Sequence, residues 1–533
     1  MRIAFVPIDN RPVCYSLPLQ IADISDDLEL ILPPREMLGD LTKTADIKGI
    51  FEWIESLQDI DKFIISLDTI AYGGLIPSRR SSESFEEIKA RVEKFREILL
   101  SKNSEIYAFS SIMRISDNNV NEEEKDYWNL YGKKIFKYSY ESHKNAPKSY
   151  VQTDVPYEIL QDYLKTRKRN FDINMLYLKW AKDGFFDTLV YSKDDCAKYG
   201  LNVAEAEALE FAINEYVNEK DSLVKDFNTL LNTTQSGDDG EIQSISDSED
   251  CESDTSYLSK ESISTNENKV CVSHCFGNNS GSADYKKNVN VFVKTGADEI
   301  PLSLLSRAVT AGKNIKIAPV FTEPDYIDKI SKYEDVSVFD SVKGQIELAG
   351  CTVCNEEDSD IVLLVNNFRE EQGELVMGVD VQGYCKLLTL PQKQFAIADI
   401  RYANGADNNF VASLFNQTLD YRFLGYAGWN TTGNTLGSVL CCALVKFITQ
   451  NFNDKAFKKV QAVRFLDDWA YQANVRKILK SKYDVNFSKQ AINDIKKEIE
   501  KFEKIVNKKL NSEFNEIAYK FPWDRSFEVE VIL

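Results

Sequence analysis

Seven times along the chain a short β-branched or aromatic run ends directly in a cluster of polar side chains, and this repetition limits the fold more than any other feature. Arg2 to Ile8 leads into Asp9, Asn10 and Arg11, Phe63 to Leu67 into Asp68 and then Tyr72, Gly73 and Arg79, and Ile106 to Met113 into Arg114. Thr188 to Tyr191 leads into Asp194 and Asp195, and Val289 to Lys294 into Asp298 and Glu299. Ile361 to Val365 leads into Asn366 and Asn367, and Phe395 to Ala398 into Asp399 and Asn404. Such runs read as buried strands. Amphipathic stretches between them, Phe85 to Leu100 for example, give the βαβ rhythm of a parallel sheet. In α/β folds the polar residues that follow the strands gather on one rim, where a pocket forms.

The fold class is therefore α/β, and 533 residues are too many for one ordinary core. The expected layout is a (β/α)-barrel-like catalytic domain over 1–312, a smaller α/β layered domain over 313–451 and a helical C-terminal segment over 452–533. Two doubly wound parallel-sheet domains with the pocket between them are the alternative. Residues 232–288 are rich in Ser, Asp, Glu, Asn and Gly and poor in aromatics, so a disordered acidic insertion is expected there.

The formal charge of −20 opposes nucleic-acid binding, since a surface of that sign repels phosphate. No basic-then-apolar leader opens the chain and no run approaches the roughly 18 apolar residues of a membrane span. Leu436 to Ile448 reads as a buried helix. Ten scattered cysteines fit core thiols in a reducing cytoplasm rather than a disulfide scaffold. Cys351-Cys354 and Cys271-His274-Cys275 lack a second ligand pair, so no metal site is expected. With only two histidines, His143 and His274, chemistry should run on carboxylates.

The adjacent Asp194 and Asp195 are the candidate catalytic pair. The candidate substrate-binding residues are Asp9, Asn10, Arg11, Asp68, Tyr72, Gly73, Arg79, Arg114, Asp298, Glu299, Asp399 and Asn404, all from the rim. Asn170 joins them from the basic helix before the Asp194 strand. Trp429, Asn430 and Asn434 come from the glycine-rich turn GYAGWNTTGNTLG, which opens an apolar helix and offers a helix N-terminus to hydroxyl or anionic groups. That turn has neither the Rossmann nor the P-loop spacing.

The motifs VPIDNRPVCY, SLDTIAYGGLIPSR, RKRN with LVYSKDD, KTGADE, YAGWNTTGNTLG and RFLDDWAYQANVR resemble an uncharacterised bacterial family, the domain of unknown function DUF4127. The resemblance spans nearly the whole chain, departs from it at the acidic insertion, and supports the choice of motif residues without implying a reaction.

The reaction expected from the residues is glycoside hydrolysis. Carboxylates and amides bind hydroxyls, an aromatic ring stacks on a sugar face, and two carboxyls suffice for the chemistry. The Asp194-Asp195 pair is similar to that of substrate-assisted hexosaminidases, an analogy in which Asp194 orients an acetamido group and Asp195 is the acid/base, so N-acetylhexosaminides are candidate substrates. The partner is a small molecule, a sugar, with no cofactor. Two alternatives use the same residues: a hydrolase of phosphates or amides dependent on Mg²⁺ or Mn²⁺, and a non-catalytic sugar-binding or regulatory protein. Oligomeric state is not legible.

Overall fold

The computed structural model describes residues 1–146, 151–194, 196–218, 290–483 and 489–533. The expected acidic insertion, Asp195, and Cys271, His274 and Cys275 lie outside the described residues.

Two open parallel sheets organise the chain. The first is built from β1 (Arg2–Val6), β2 (Glu29–Ile31), β3 (Lys62–Ser66), β4 (Glu105–Ile112), β5 (Thr188–Lys193) and β6 (Asn290–Thr295), in the order β2-β1-β3-β4-β5-β6. Every pairing in it is parallel. The second contains β7 (Lys316–Phe321), β8 (Thr352–Val353), β9 (Ile361–Asn366), β10 (Gln394–Asp399) and β11 (Phe423–Ala427), in the order β11-β10-β9-β7-β8, again all parallel. All seven expected strands are present.

The α/β class holds, and of the two expected layouts the structure takes the doubly wound one. The barrel-like reading of residues 1–312 is corrected, because β2 and β6 lie at opposite edges of an open sheet and do not pair. Strand periodicity encodes βα alternation, which a barrel and an open sheet share; closure depends on which strands pair at the ends. Alternate residues of the first sheet feed different cores. Ile3, Phe5, Ile64 and Phe109 pack on one face with helices Ser16–Ala22 and Ile300–Thr310. Ala4, Phe63, Ile65 and Ala108 pack on the other with helices Ile47–Ser56, Phe85–Leu100 and Tyr157–Lys182. Both faces are covered, as a parallel sheet requires.

The sheets are joined by two helices that have almost no polar side. Helix Ile300–Thr310 is buried at every position except Arg307 and packs on β3, β4 and β5. Helix Thr432–Ile448, buried from Thr432 through Val445, packs on β10 and β11 and against the first helix. A helix that is apolar all round belongs in an interior, and this pair forms the middle of the molecule. The expected buried helix Leu436 to Ile448 is thus found. No helix among the described residues is long and apolar enough to cross a membrane.

The described residues of the C-terminal segment form helices Asp454–Arg464, Arg476–Tyr483 and Lys489–Leu510, with a π-helical run at Phe465–Val475. Its last part forms the antiparallel pair β12 (Ala518–Lys520) and β13 (Glu530–Ile532). The connection between these strands passes Trp523 and Asp524, both left-handed with φ of 58° and 50°.

One apolar cluster runs from β1 and β3 through helices Ile300–Thr310 and Thr432–Ile448 to β9 and β10. Unfolding should therefore be a single transition. Leu304→Ala, at a fully buried site in the shared layer, should lower stability by about 2–5 kcal/mol. Coincident fluorescence and circular-dichroism curves in urea check this; two separated transitions would contradict a shared core.

Candidate functional site

The C-terminal ends of both sheets face one cavity of about 530 Å³. The first sheet contributes Arg11 after β1, Arg114 after β4, Asp194 after β5, and Asp298 and Glu299 after β6. The second contributes Tyr333, Asn404, Asn430 and Asn434, and the C-terminal connection contributes Trp523, Arg525 and Phe527.

Arg11 is the buried charge on which the first-sheet side turns. Asp9 lies two residues away and accepts from Nε at 2.9 Å and from Nη2 at 2.7 Å, while Asp298 takes both terminal nitrogens at 3.0 and 2.5 Å. Burial alone would lower the pKa of Arg11, but the adjacent carboxylates of Asp298 and Asp9 raise it well above the usual value. Burial pushes Asp298 up to about 6 against the pull of Arg11, with Asp9 and Asp194 adding to the rise.

A second network surrounds Glu123. Its carboxylate meets Arg114 at 2.7 Å, Arg525 at 2.7 Å and Arg79 at 3.4 Å. Burial works to raise it, yet Arg114, Arg525 and Arg79 outweigh burial and hold it well below the ordinary carboxylate range. Asp194 is ion-paired with Arg79 at 3.4 Å and Arg114 at 3.5 Å.

Glu299 sits in a cradle of three glycines. A Cβ added at Gly296 would lie 1.6 Å from Glu299 Oε1, one at Gly433 2.5 Å from the same atom, and one at Gly437 2.6 Å from Glu299 Cβ. The glycines of GADE and TTGNTLG thus exist to admit one carboxyl group. Its Oε2 accepts from the Ala297 amide at 3.1 Å, whereas Oε1 is buried without a hydrogen-bond partner. Burial pushes this carboxyl well above its usual range, and Glu334 and Asp298 push it further.

The opposite wall carries two more unsatisfied acceptors, Asn404 Oδ1 and Asn434 Oδ1. Asn404 Nδ2 donates to Glu374 at 2.7 Å, which fixes the amide so that oxygen is the free atom. Of nine non-glycine residues with left-handed φ among the described residues, four line this cavity: Tyr333, Asn404, Asn430 and Trp523. Aromatic residues rarely accept that conformation, and such strain collects where a ligand is held. The indole of Trp523 lies 4.9 Å from the Arg11 guanidinium and 4.7 Å from that of Arg525, and its Nε1 donates to Asn10 Oδ1 at 2.8 Å.

Eight expected residues therefore line the cavity: Arg11, Arg114, Asp194, Asp298, Glu299, Asn404, Asn430 and Asn434. Others stand behind it. Asp9 holds Arg11, and Arg79 holds Asp194 and Glu123. Asn10 holds Trp523 and faces a neighbouring cavity of about 390 Å³. Further away, Asp68 accepts from the Ser111 amide at 2.8 Å, Tyr72 lies 5.2 Å beneath the Arg169 guanidinium, and Gly73 ends helix Leu67–Tyr72 at φ 86°. Asn170 donates to Ser78 O at 3.0 Å. Asp399 is bonded by Asn366 at 2.8 Å, Tyr426 at 3.0 Å and the Asp407 amide at 2.9 Å. Trp429 lines a separate space of about 20 Å³ rather than the main cavity. Sequence reasoning passed over Glu123, Tyr333, Glu334, Trp523, Arg525 and Phe527. The run Trp523-Asp524-Arg525 mixes a large aromatic with both charges and was the one available signal.

Among the described residues no group of three or more His, Cys, Asp or Glu side chains is placed to hold a metal ion.

Asp68 gives a pH prediction. Burial raises its folded pKa to about 7 from an ordinary value of 3.8. The folded state then binds the proton more tightly, so this contribution to stability is present below about pH 4 and is lost as pH rises to about 7. By linkage the loss is on the order of 4 kcal/mol. Asp68→Asn should flatten the decline in urea midpoint between about pH 4 and pH 7, and an unchanged slope would refute the assignment.

No curated protein and no solved structure matches the chain. A family match covers residues 3–225 and 278–532, and the stretch it leaves out falls within the expected insertion and its upstream flank. With nearly its whole length matched, the chain belongs to the family described as Protein of unknown function (DUF4127).

Proposed function

We propose that the protein is a carbohydrate-active hydrolase that cleaves a glycosidic bond, with Glu299 as proton donor and Asp194 as the second carboxylate. The observation that carries this is Glu299, a fully buried residue of the cavity lining whose carboxyl oxygen Oε1 has no hydrogen-bond partner. A carboxyl kept neutral by burial can donate the proton that a leaving glycosidic oxygen needs. Asp194, bound by two guanidinium groups, supplies the negative charge at the anomeric carbon, acting on a water or as nucleophile. The carbon–oxygen bond breaks as the proton passes from Glu299 to the departing oxygen. Asn404 Oδ1 and Asn434 Oδ1 accept from sugar hydroxyls, and Trp523 and Phe527 provide the apolar surface.

In this reading Glu299 takes the acid/base role expected of Asp195 from the sequence, and N-acetylhexosaminides remain among the candidate substrates. The reading uses no cofactor. Free thiols at Cys14, Cys351, Cys441 and Cys442, all buried, suit a cytoplasmic location.

The test is hydrolysis of a panel of chromogenic glycosides, N-acetylhexosaminides included, with and without EDTA. Turnover should survive chelation, and Glu299→Gln and Asp194→Asn should each lower kcat by about a hundred- to ten-thousand-fold. Loss of activity with EDTA would transfer the protein to the Mg²⁺- or Mn²⁺-dependent hydrolases. Sugars that raise Tm without being cleaved would make it a binding protein.

A further inference from the structure

Glu299 does not stand alone over its glycines. Glu334 reaches the same place from the other sheet, on the segment that follows β7. Its Oε1 accepts from the Gly433 amide at 2.8 Å and its Oε2 from Ser341 Oγ at 3.2 Å. A Cβ added at Gly433 would lie 2.5 Å from Glu299 Oε1 and 3.3 Å from Glu334 Oε1. Two carboxyl groups, one from each sheet's half of the chain, thus share the space above one glycine. Both are buried.

Among the described residues, the groups around the pair leave it short of positive charge. On the turn of Glu299 itself the neighbour is Asp298, whose two oxygens are taken by Arg11. The first turns of helix Thr432–Ile448 present Gly433 and Gly437. Helix Val338–Leu348 presents Ser341 to Glu334 and Gln345 to Ser303 Oγ. Lys193, the nearby cation, is bonded to Asp335 at 2.5 Å, and Asp335 also accepts from Thr295 Oγ1. Two carboxylates this close and this dry cannot both be ionised cheaply, and a proton held on one of them removes the repulsion.

We infer that Glu334 is a positioning residue that keeps Glu299 protonated by sharing the space over Gly433, so that the proton donor is complete only where the two sheets meet. Burial acts in the same direction, raising Glu299 well above its usual range and Glu334 to about 7. The catalytic consequence rests on the hydrolase reading, whereas the pairing of the two carboxyls does not. The Asp335 contacts with Lys193 and Thr295 fasten the Glu334 segment to the ends of β5 and β6, which makes the pair part of the joint between the sheets.

Infrared spectroscopy of the full chain without substrate separates these two claims. The difference spectrum between wild type and Glu299→Gln isolates the protonated carboxyl of Glu299, and a pH series gives its midpoint. In a Glu334→Gln background the midpoint should fall by about one pH unit, with Glu334→Asp in between because its carboxyl is withdrawn by one methylene. On any glycoside that the protein cleaves, the high-pH limb of kcat should move down by the same amount. A role confined to hydrogen-bonding Gly433 would lower Tm and leave the midpoint in place, and a midpoint unmoved in the variants overturns the inference. So does a wild type with no protonated Glu299 band at neutral pH. Should Glu334→Gln fail to fold, the Glu334→Asp shift decides alone. A shifted midpoint in a protein that cleaves no sugar would keep the carboxyl pair and remove only the hydrolase reading.

Discussion

Two apolar helices lying against each other between two parallel sheets determine where everything else in this molecule can be. Helix Ile300–Thr310 starts a short turn after β6, with Glu299 at its N-cap, and helix Thr432–Ile448 begins just after β11. Packing the helices together therefore brings the C-terminal ends of both sheets to one place. Each sheet alone would offer a shallow crevice beyond its strands. Held face to face by this contact, the two crevices enclose a single cavity. The same contact needs close approach, which Gly433 and Gly437 permit and which leaves room for the carboxyl group of Glu299 beside that of Glu334.

The cavity is expensive in electrostatic terms. Arg11, Asp298 and Glu299 are buried and the Glu123 side chain is only 16% exposed, and a buried ion pair stabilises only if its geometry compensates desolvation. Arg11 and Glu123 meet that condition through several short contacts each. Glu299 does not, since one of its oxygens is unpaired. Asn404 and Asn434 have the same defect, and Tyr333 and Trp523 add backbone strain. A fold that tolerates three orphaned acceptors and four strained residues around one cavity has kept them for something other than its own stability.

How much of this was legible depends on the range of the interaction. Strands and their polar ends were readable because strand formation is local: Asp9, Asp194, Asp298 and Asn404 follow runs whose side chains alternate between two apolar faces. The glycine turn before helix Thr432–Ile448 was readable for the same reason. What was not readable is pairing at long separation. Whether β2 and β6 close a barrel depends on edges that the local pattern does not describe, and the ion pair of Arg11 with Asp298 joins residues 287 positions apart. Trp429 looked like a sugar platform by residue type alone, yet the cavity is walled by Trp523, from a segment expected to be helical whose one hint of a rim was the mixed run Trp523-Asp524-Arg525. Asp68 and Asp399 satisfied the strand-then-acid rule and proved to be buried hydrogen-bonded supports, Asp68 in helix Leu67–Tyr72 and Asp399 at the end of β10. The rule finds the rim; it does not say which acids turn toward the space and which turn back.

Glu299 and Glu334 illustrate why that distinction matters for chemistry. An isolated acid at a sheet edge would be solvated and ionised, and no different from many others on a chain with a charge of −20. Glu299 differs because the glycines around it leave one of its oxygens buried without a partner, and because the titratable group sharing its space is another carboxyl rather than a base. Its chemistry therefore belongs to the junction and not to the residue. Loosening the contact between the helices would admit water, let both carboxyls ionise and make Glu299 an ordinary solvated acid, with no change in the other residues of the cavity.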